Sequence, residues 1–258
     1  MKRLFEYRVA YSTILVKEVR RFLRIWMQTV LPAVISTSLY FLIFGHLIGE
    51  RIGDMEGYRY IDFIVPGVIL MAIINNAYGN VVSSFFSAKF QRHVEELLVS
   101  PMPNHIILLG FVSGGIARGV TVGLAVTAVA ALLSDLQVHN LAVVLLVAVL
   151  TAALFAIAGL INAIYAKSFD DISIIPTFVL TPLTYLGGIF YSIKMLPEFW
   201  QQVSLANPIL YMVNAFRYGF LGVSDINILH SYLIIFAFIA TLFFFSLMLL
   251  KRGHGIRS

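Results

Sequence analysis

The chain has 258 residues, of which 60% are apolar and only 12% charged, with a mean hydropathy of +0.90 and a formal charge of +5. A soluble domain carries roughly 25% charged residues, so this composition excludes a water-soluble globular protein and points to one immersed in lipid. Cysteine is absent, which excludes disulfides and says nothing of compartment.

The chain opens on a basic segment. Lys17, Arg20, Arg21 and Arg24 recur at helical spacing, while Tyr11, Ile14, Leu15, Val19 and Phe22 fill the other side. The pattern predicts an amphipathic helix over 1–24 lying along the cytoplasmic lipid surface, its cations toward anionic headgroups. Membrane lipid, not nucleic acid, is the partner expected of this face, with contact to a cytoplasmic protein as a second role. The first apolar run starts at Ile25 and no small-residue cleavage pattern follows it, so it reads as a retained span and not as a signal peptide.

Crossing the hydrocarbon core takes about 20 apolar residues. Six segments qualify: 25–48, 61–84, 105–133, 141–166, 172–192 and 229–250. The expected fold is therefore all-α, a single integral membrane domain over 1–258 with six transmembrane helices. Thirteen Lys and Arg fall in the N-terminal tail, the second-to-third and fourth-to-fifth connections and the C-terminus, the last including Lys251, Arg252 and Arg257. Only Arg51, Arg59, Lys194 and Arg217 fall on the opposite side. The positive-inside bias then places both termini and residues 88–103 in the cytoplasm.

Two connections are more than turns. In residues 86–98, Phe86, Phe90, Val94, Leu97 and Leu98 share one helical face, and Lys89, Arg92, His93 and Glu96 share another, with Glu95 beside them. Pro101 and Pro103 stop the helix before the next span. A solvated amphipathic turn on the bilayer would carry an excess of cations; the mixed signs here suit a protein partner better, so a docking helix is expected. The segment from Ile193 to Asn227 is long and half apolar. Pro197 and Pro208 each suit a first helical turn, predicting two short helices over 197–217 that dip into the outer leaflet; an amphipathic loop anchored by Trp200, Tyr211 and Tyr218 is the alternative.

Within the spans, glycines at 110, 114, 115, 119 and 123 repeat G-x-x-x-G three times, so Gly115, Gly119 and Gly123 are expected to let a neighbouring helix approach closely. Packing within one subunit is favoured over packing between copies. Arg118 sits at mid-depth if the third span begins at His105, and snorkels to the cytoplasmic surface if it begins near Gly114; the second is the expectation. Pro176 and Pro182 predict a bent, buried fifth span, and Thr177, Thr181 and Tyr185, with Asn75 and Asn76 of the second span, are candidates to line a path. No nucleotide-cradling loop, nucleophile elbow or zinc-binding H-E-x-x-H occurs, so no catalytic residue and no metal ligand is assigned.

The stretches FIVPGVILMAIINNAYGN (63–80), SFFSAKFQRHVEELLVSPMP (84–103), GGIARG (114–119), FDDISIIPTFVLTPLTYLGGIFYS (169–192) and NPILYMVNAFRYGFLG (207–222) resemble the ABC-2 type permeases of bacterial inner membranes, over nearly the whole chain. The resemblance implies the membrane half of an ATP-driven exporter: a homodimer of permeases working with two copies of a separate ATPase subunit that binds the ATP and magnesium. It also implies that 86–98 is the coupling helix, with Lys89, Arg92, His93, Glu95, Glu96 and Leu98 facing the ATPase. The N-terminal helix then corresponds to the family's connecting helix, and 197–217 to its re-entrant helices. A hydrophobic or amphipathic cargo is expected, of the drug, lipid-linked or polysaccharide class. The rival reading from the residues is a secondary transporter or channel working without ATP, which calls for an intramembrane carboxylate or a lined pore.

Overall fold

The computed structural model of the chain describes residues 2–253; residue 1 and residues 254–258, which include the basic Arg257, lie outside the described residues. In chain order the elements are α1 (Lys2–Arg24), α2 (Trp26–Ile52), a hairpin of β1 (Asp54–Met55) and β2 (Tyr58–Arg59), α3 (Tyr60–Phe90), α4 (His93–Val99), α5 (Asn104–Leu133), α6 (Leu141–Tyr165), α7 (residues 171–185), α8 (Glu198–Leu205), α9 (Pro208–Leu221) and α10 (Ile228–Arg252). The hairpin turns on Glu56 and Gly57, both at positive φ, the backbone shape a two-residue hairpin loop prefers.

Among the described residues, five helices, α2, α3, α5, α6 and α10, are long and apolar enough to cross a membrane. The predicted 172–192 span departs from this pattern. It comprises Asp171–Ile175, a wider π-helical turn over Pro176–Leu180, and Thr181–Tyr185. Fifteen residues rise only about 22 Å, short of the roughly 30 Å core. The prolines lack backbone donors, and the Thr181 hydroxyl donates to the carbonyl of Pro176 at 2.9 Å. Beyond Tyr185 the chain turns through Gly187 and Gly188, the latter at φ +72°.

α3 runs through the middle of the bundle and is buried along nearly its whole length. A Cβ on Gly115 would lie 2.6 Å from Val81 Cγ2 and 2.8 Å from Ala156 Cβ, and one on Gly123 would lie 2.6 Å from Ile73 Cγ1. Gly119 meets Ala77 in the same way, at 3.0 Å. The glycine stripe of α5 thus seats α3 of the same chain. The first pair of the repeat has a different occupant: Gly110 and Gly114 receive Ile14 and Glu18 of α1.

At one end of the bundle stand α4, α1 and the turn from α6 to α7. At the opposite end stand the hairpin, α8 and α9. There His139 and Asn140 donate backbone bonds to Phe220 and Gly219 at the end of α9, and Asn140, Asn207 and Asn227 cap α6, α9 and α10 through their side-chain oxygens.

Candidate functional site

A cavity of about 410 Å³ opens between α2, α3, α5 and α7. Its wall is polar for a bundle this apolar. Gln28, Ser36 and Tyr40 come from α2, Asn75 and Asn76 from α3, Arg118 from α5, and Thr181, Thr184 and Tyr185 from α7. Four of the five residues singled out for a path, Asn75, Asn76, Thr181 and Tyr185, therefore meet in one space. Thr177 does not; it is exposed and is not part of the cavity wall. From Gln28 to Tyr40 the wall follows about 18 Å of helix.

Arg118 corrects an expectation. α5 begins at Asn104, so Arg118 is at the middle of a 30-residue helix and does not snorkel to its end. Its Nε and Nη2 donate to Asn76 Oδ1 at 3.3 and 3.1 Å, and Asn76 Nδ2 in turn donates to the carbonyl of Ala72 at 3.0 Å. Among the described residues, no carboxylate lies within ion-pair distance of Arg118. At the hairpin end of the cavity, Tyr40, Phe44, Tyr185 and Phe190 stack ring against ring, with Phe44 and Phe190 centroids 4.8 Å apart.

Beyond that aromatic plug is a second cation. Arg217, a connection residue by sequence, is buried; its Nη2 donates to the carbonyl of Gly188 at 2.6 Å and its guanidinium lies 3.8 Å from the Phe63 ring centroid. It lines a space of about 280 Å³ together with Glu56 and Asp225, and those two acids are tied to Lys194 at 3.2 and 3.4 Å.

The expected helix over 86–98 is not continuous. α3 carries on to Phe90, Arg92 takes a left-handed conformation (φ 63°), and a new helix starts at His93. The break redistributes the six residues. Lys89 turns back into the bundle, donating to the carbonyls of Ile164 and Ala166, each at 2.6 Å, and of Ala163 at 3.4 Å, so it caps the C-terminus of α6 and does not face outward. Val94 is buried and Leu98 packs against the core. The surface left open comprises Gln91, Arg92, His93 and Glu96, with Glu95 half-buried, and the exposed apolar Phe90 and Val99 at its edges. Glu95 and Glu96 occupy the first turn of α4, where negative charge is favoured.

α1 likewise divides. Lys17, Arg20 and Arg24 are exposed, with the Lys17 ammonium 5.5 Å from the Phe111 ring centroid. Arg21 instead points into the protein and donates to the carbonyl and the side-chain oxygen of Asn80, both at 2.9 Å. Next to it is Glu18, wholly buried, which accepts from Ser84 Oγ at 2.6 Å and lies 3.4 Å from Arg21 Nη2. Sequence reasoning missed Glu18, although it falls on the apolar stripe, four residues after Ile14 and four before Phe22. At the α6–α7 turn, the backbone N–H groups of Lys167 and Ser168 donate to Asp171 Oδ2 at 2.8 and 3.1 Å and hold that carboxyl below its ordinary range, the Lys167 bond foremost.

The chain matches the family model described as ABC-2 type transporter over residues 9–221. It is 56% identical over 252 residues to the inner membrane transport permease YadH of Escherichia coli strain K12, covering 98% of each chain. It is also similar to nodulation protein J of Sinorhizobium fredii, 26% identical over 90% of this chain and 91% of that protein, and to nodulation protein J of Rhizobium leguminosarum bv. viciae, 24% identical over 88% and 90%.

Proposed function

This chain belongs to the ABC-2 type transporter family, and from that premise we propose that it is the permease subunit of an inner-membrane exporter driven by a separate ATPase. In this reading two copies of the chain form the transmembrane unit, and each binds one ATPase, which holds the ATP and magnesium. Residues 172–192 complete a sixth crossing, α7 being continued by the non-helical segment after Tyr185, so that both termini and α4 face the cytoplasm. α8 and α9 then form the re-entrant outer elements. The polar cavity is the start of the route for a hydrophobic or amphipathic cargo.

The observation that carries the proposal is α4: a mixed-charge surface, open at Gln91, Arg92, His93 and Glu96, joined through α3 and α5 to two walls of the cavity. Force applied to such an element reaches the cavity through helices and not through loops. The chain contains no cysteine, which makes the test direct. Gln91→Cys, co-expressed with the ATPase encoded beside this gene, is expected to crosslink to single cysteines on the ATPase surface in an ATP-sensitive way. Absence of both crosslink and co-purification would sink the proposal. A second arm reads coupling: Glu95→Ala with Glu96→Ala leaves the fold intact and uncouples ATP hydrolysis from transport.

A further inference from the structure

The buried Arg217 and the half-buried Arg118 differ in what surrounds them. Arg217 shares its space with two acids, Glu56 and Asp225; both pair with Lys194, and Arg217 Nε and Nη1 have no hydrogen-bond partner among the described residues. Arg118 shares the larger cavity with no acid, and its only described hydrogen-bond partner is a neutral amide oxygen. A guanidinium at the middle of a membrane helix is costly without an anionic or strongly accepting partner. Its Nη1 has no partner among the described residues, and the nearby Gln28, Ser36 and Asn75 side chains make no described hydrogen bond. The cavity therefore holds a fixed cation and several uncommitted donors, with apolar Pro32, Ala33 and Met71 beside them.

We propose that this cavity selects an amphiphile with an anionic headgroup, a phosphate, sulfate or carboxylate, and that Arg118 seats the charge. The inference rests on reading the cavity as the cargo site. About 410 Å³ is within the range of small-ligand sites and takes a headgroup with the first part of its chain. Arg118 can fork onto two oxygens of an oxyanion, and the apolar tail is left to the wall of Pro32, Ala33 and Met71. A neutral amphiphile would leave the guanidinium uncompensated, and a cationic one would be repelled.

The test uses the purified full chain in bilayer discs of neutral phosphatidylcholine, without the ATPase, so its outcome is independent of the docking crosslink. Binding of radiolabelled dodecyl phosphate is compared, by competition, with dodecanol, dodecyltrimethylammonium and inorganic phosphate. Dodecyl phosphate is expected to bind saturably and at least tenfold more tightly than each of the other three. Arg118→Gln weakens it at least tenfold, and Arg118→Lys restores part of the loss. Equal affinity for the three dodecyl probes overturns the proposal, and so does an unchanged affinity in a folded Arg118→Gln chain. If that variant fails to fold, the wild-type series decides alone. Inorganic phosphate binding as tightly as dodecyl phosphate overturns the amphiphile class. Displacement of the probe by phosphatidylglycerol supports the proposal and identifies a bilayer lipid as the source of the headgroup; failure of that lipid to displace it supports a distinct cargo.

Discussion

Glu18→Ala tests whether α1 is a docked part of the bundle or a float on the lipid surface. The Glu18 carboxylate is wholly buried, accepts from Ser84 and lies 3.4 Å from Arg21, which is itself about a quarter exposed. Removing one partner of a buried pair costs about 3–5 kcal/mol. Arg21 keeps its two bonds to Asn80 and some access to water, so the lower end applies, about 3 kcal/mol. Glu18→Gln keeps an acceptor for Ser84 and loses only the charge, for about 1–2 kcal/mol. In the purified chain, hydrogen exchange of the α1 amides should accelerate more than a hundredfold in Glu18→Ala, since each 1.4 kcal/mol is about a factor of ten. The exposed Arg20→Ala should leave exchange unchanged. Protection of α1 and a thermal midpoint equal in the two variants would refute the reasoning and restore the surface helix expected from the basic face alone.

Lys89→Met removes the cap on three α6 carbonyls, for about 2 kcal/mol. Exchange at the end of α6 should rise while the Gln91 crosslink persists, and loss of the crosslink would mean that Lys89 belongs to the docking surface after all. Gly115→Leu forces a side chain against Val81 and Ala156 and should lower the thermal midpoint sharply, as over-packing costs about 1–3 kcal/mol or more. Gly79→Leu, with no neighbour within 4 Å of its Cβ position, should be tolerated; equal effects would show that the close approach of α3 and α5 is not limiting. Asp171 is held below its ordinary 3.8 by N–H donors, so its contribution is present above that pH and is lost as pH falls through the depressed value. Protection of the Lys167 and Ser168 amides in the wild type over Asp171→Asn should be constant from pH 7 to 4 and shrink only below 3.8. A difference that fades already near pH 6 would contradict it.

What was legible in the sequence follows the solvent. Helices that cross the hydrocarbon core must be predominantly apolar over about 20 residues, so α2, α3, α5, α6 and α10 stand out as runs, and their ends were readable where a proline or asparagine marks them, as at Pro103, Asn140 and Asn227. The break at Arg92 was not readable, because arginine carries no signal for a left-handed backbone. That one residue turned Lys89 from a docking side chain into a cap. The prolines of the fifth span were visible, but not their outcome, a wide turn and an early end at Tyr185. Glu18 was legible in principle, as an acid within an apolar stripe, yet a tally of cations hides it. The pairing of Arg118 with Asn76 spans 42 positions and leaves no local trace in either helix.

α3 is the element that all of these features share. Between Asn76 and Lys89, about 20 Å of unbroken helix, it holds Arg118 through Asn76, α1 through Asn80, α6 through Lys89, and Asn162 through the Tyr78 hydroxyl at 2.7 Å. A load delivered at Phe90 by α4 is therefore shared among these four contacts along one helix. Contiguity alone is not coupling, which needs an element with two arrangements. The rigid, glycine-seated contacts of α3 with α5 and α6 are poor candidates for that role, since close-packed helices have little room to shift. α7 is a better one: it is short, interrupted by Pro176 and Pro182, widened at Pro176–Leu180, exposed over much of its length, and π-helical turns of this kind recur at functional positions. Asn162 Nδ2 also donates to the carbonyl of Ile172 at 3.2 Å, so the residue that meets α3 meets the start of α7 as well. In the proposed exporter the moving wall of the cavity is then α7, carrying Thr181 and Tyr185 past an Arg118 that α3 and α5 hold in place.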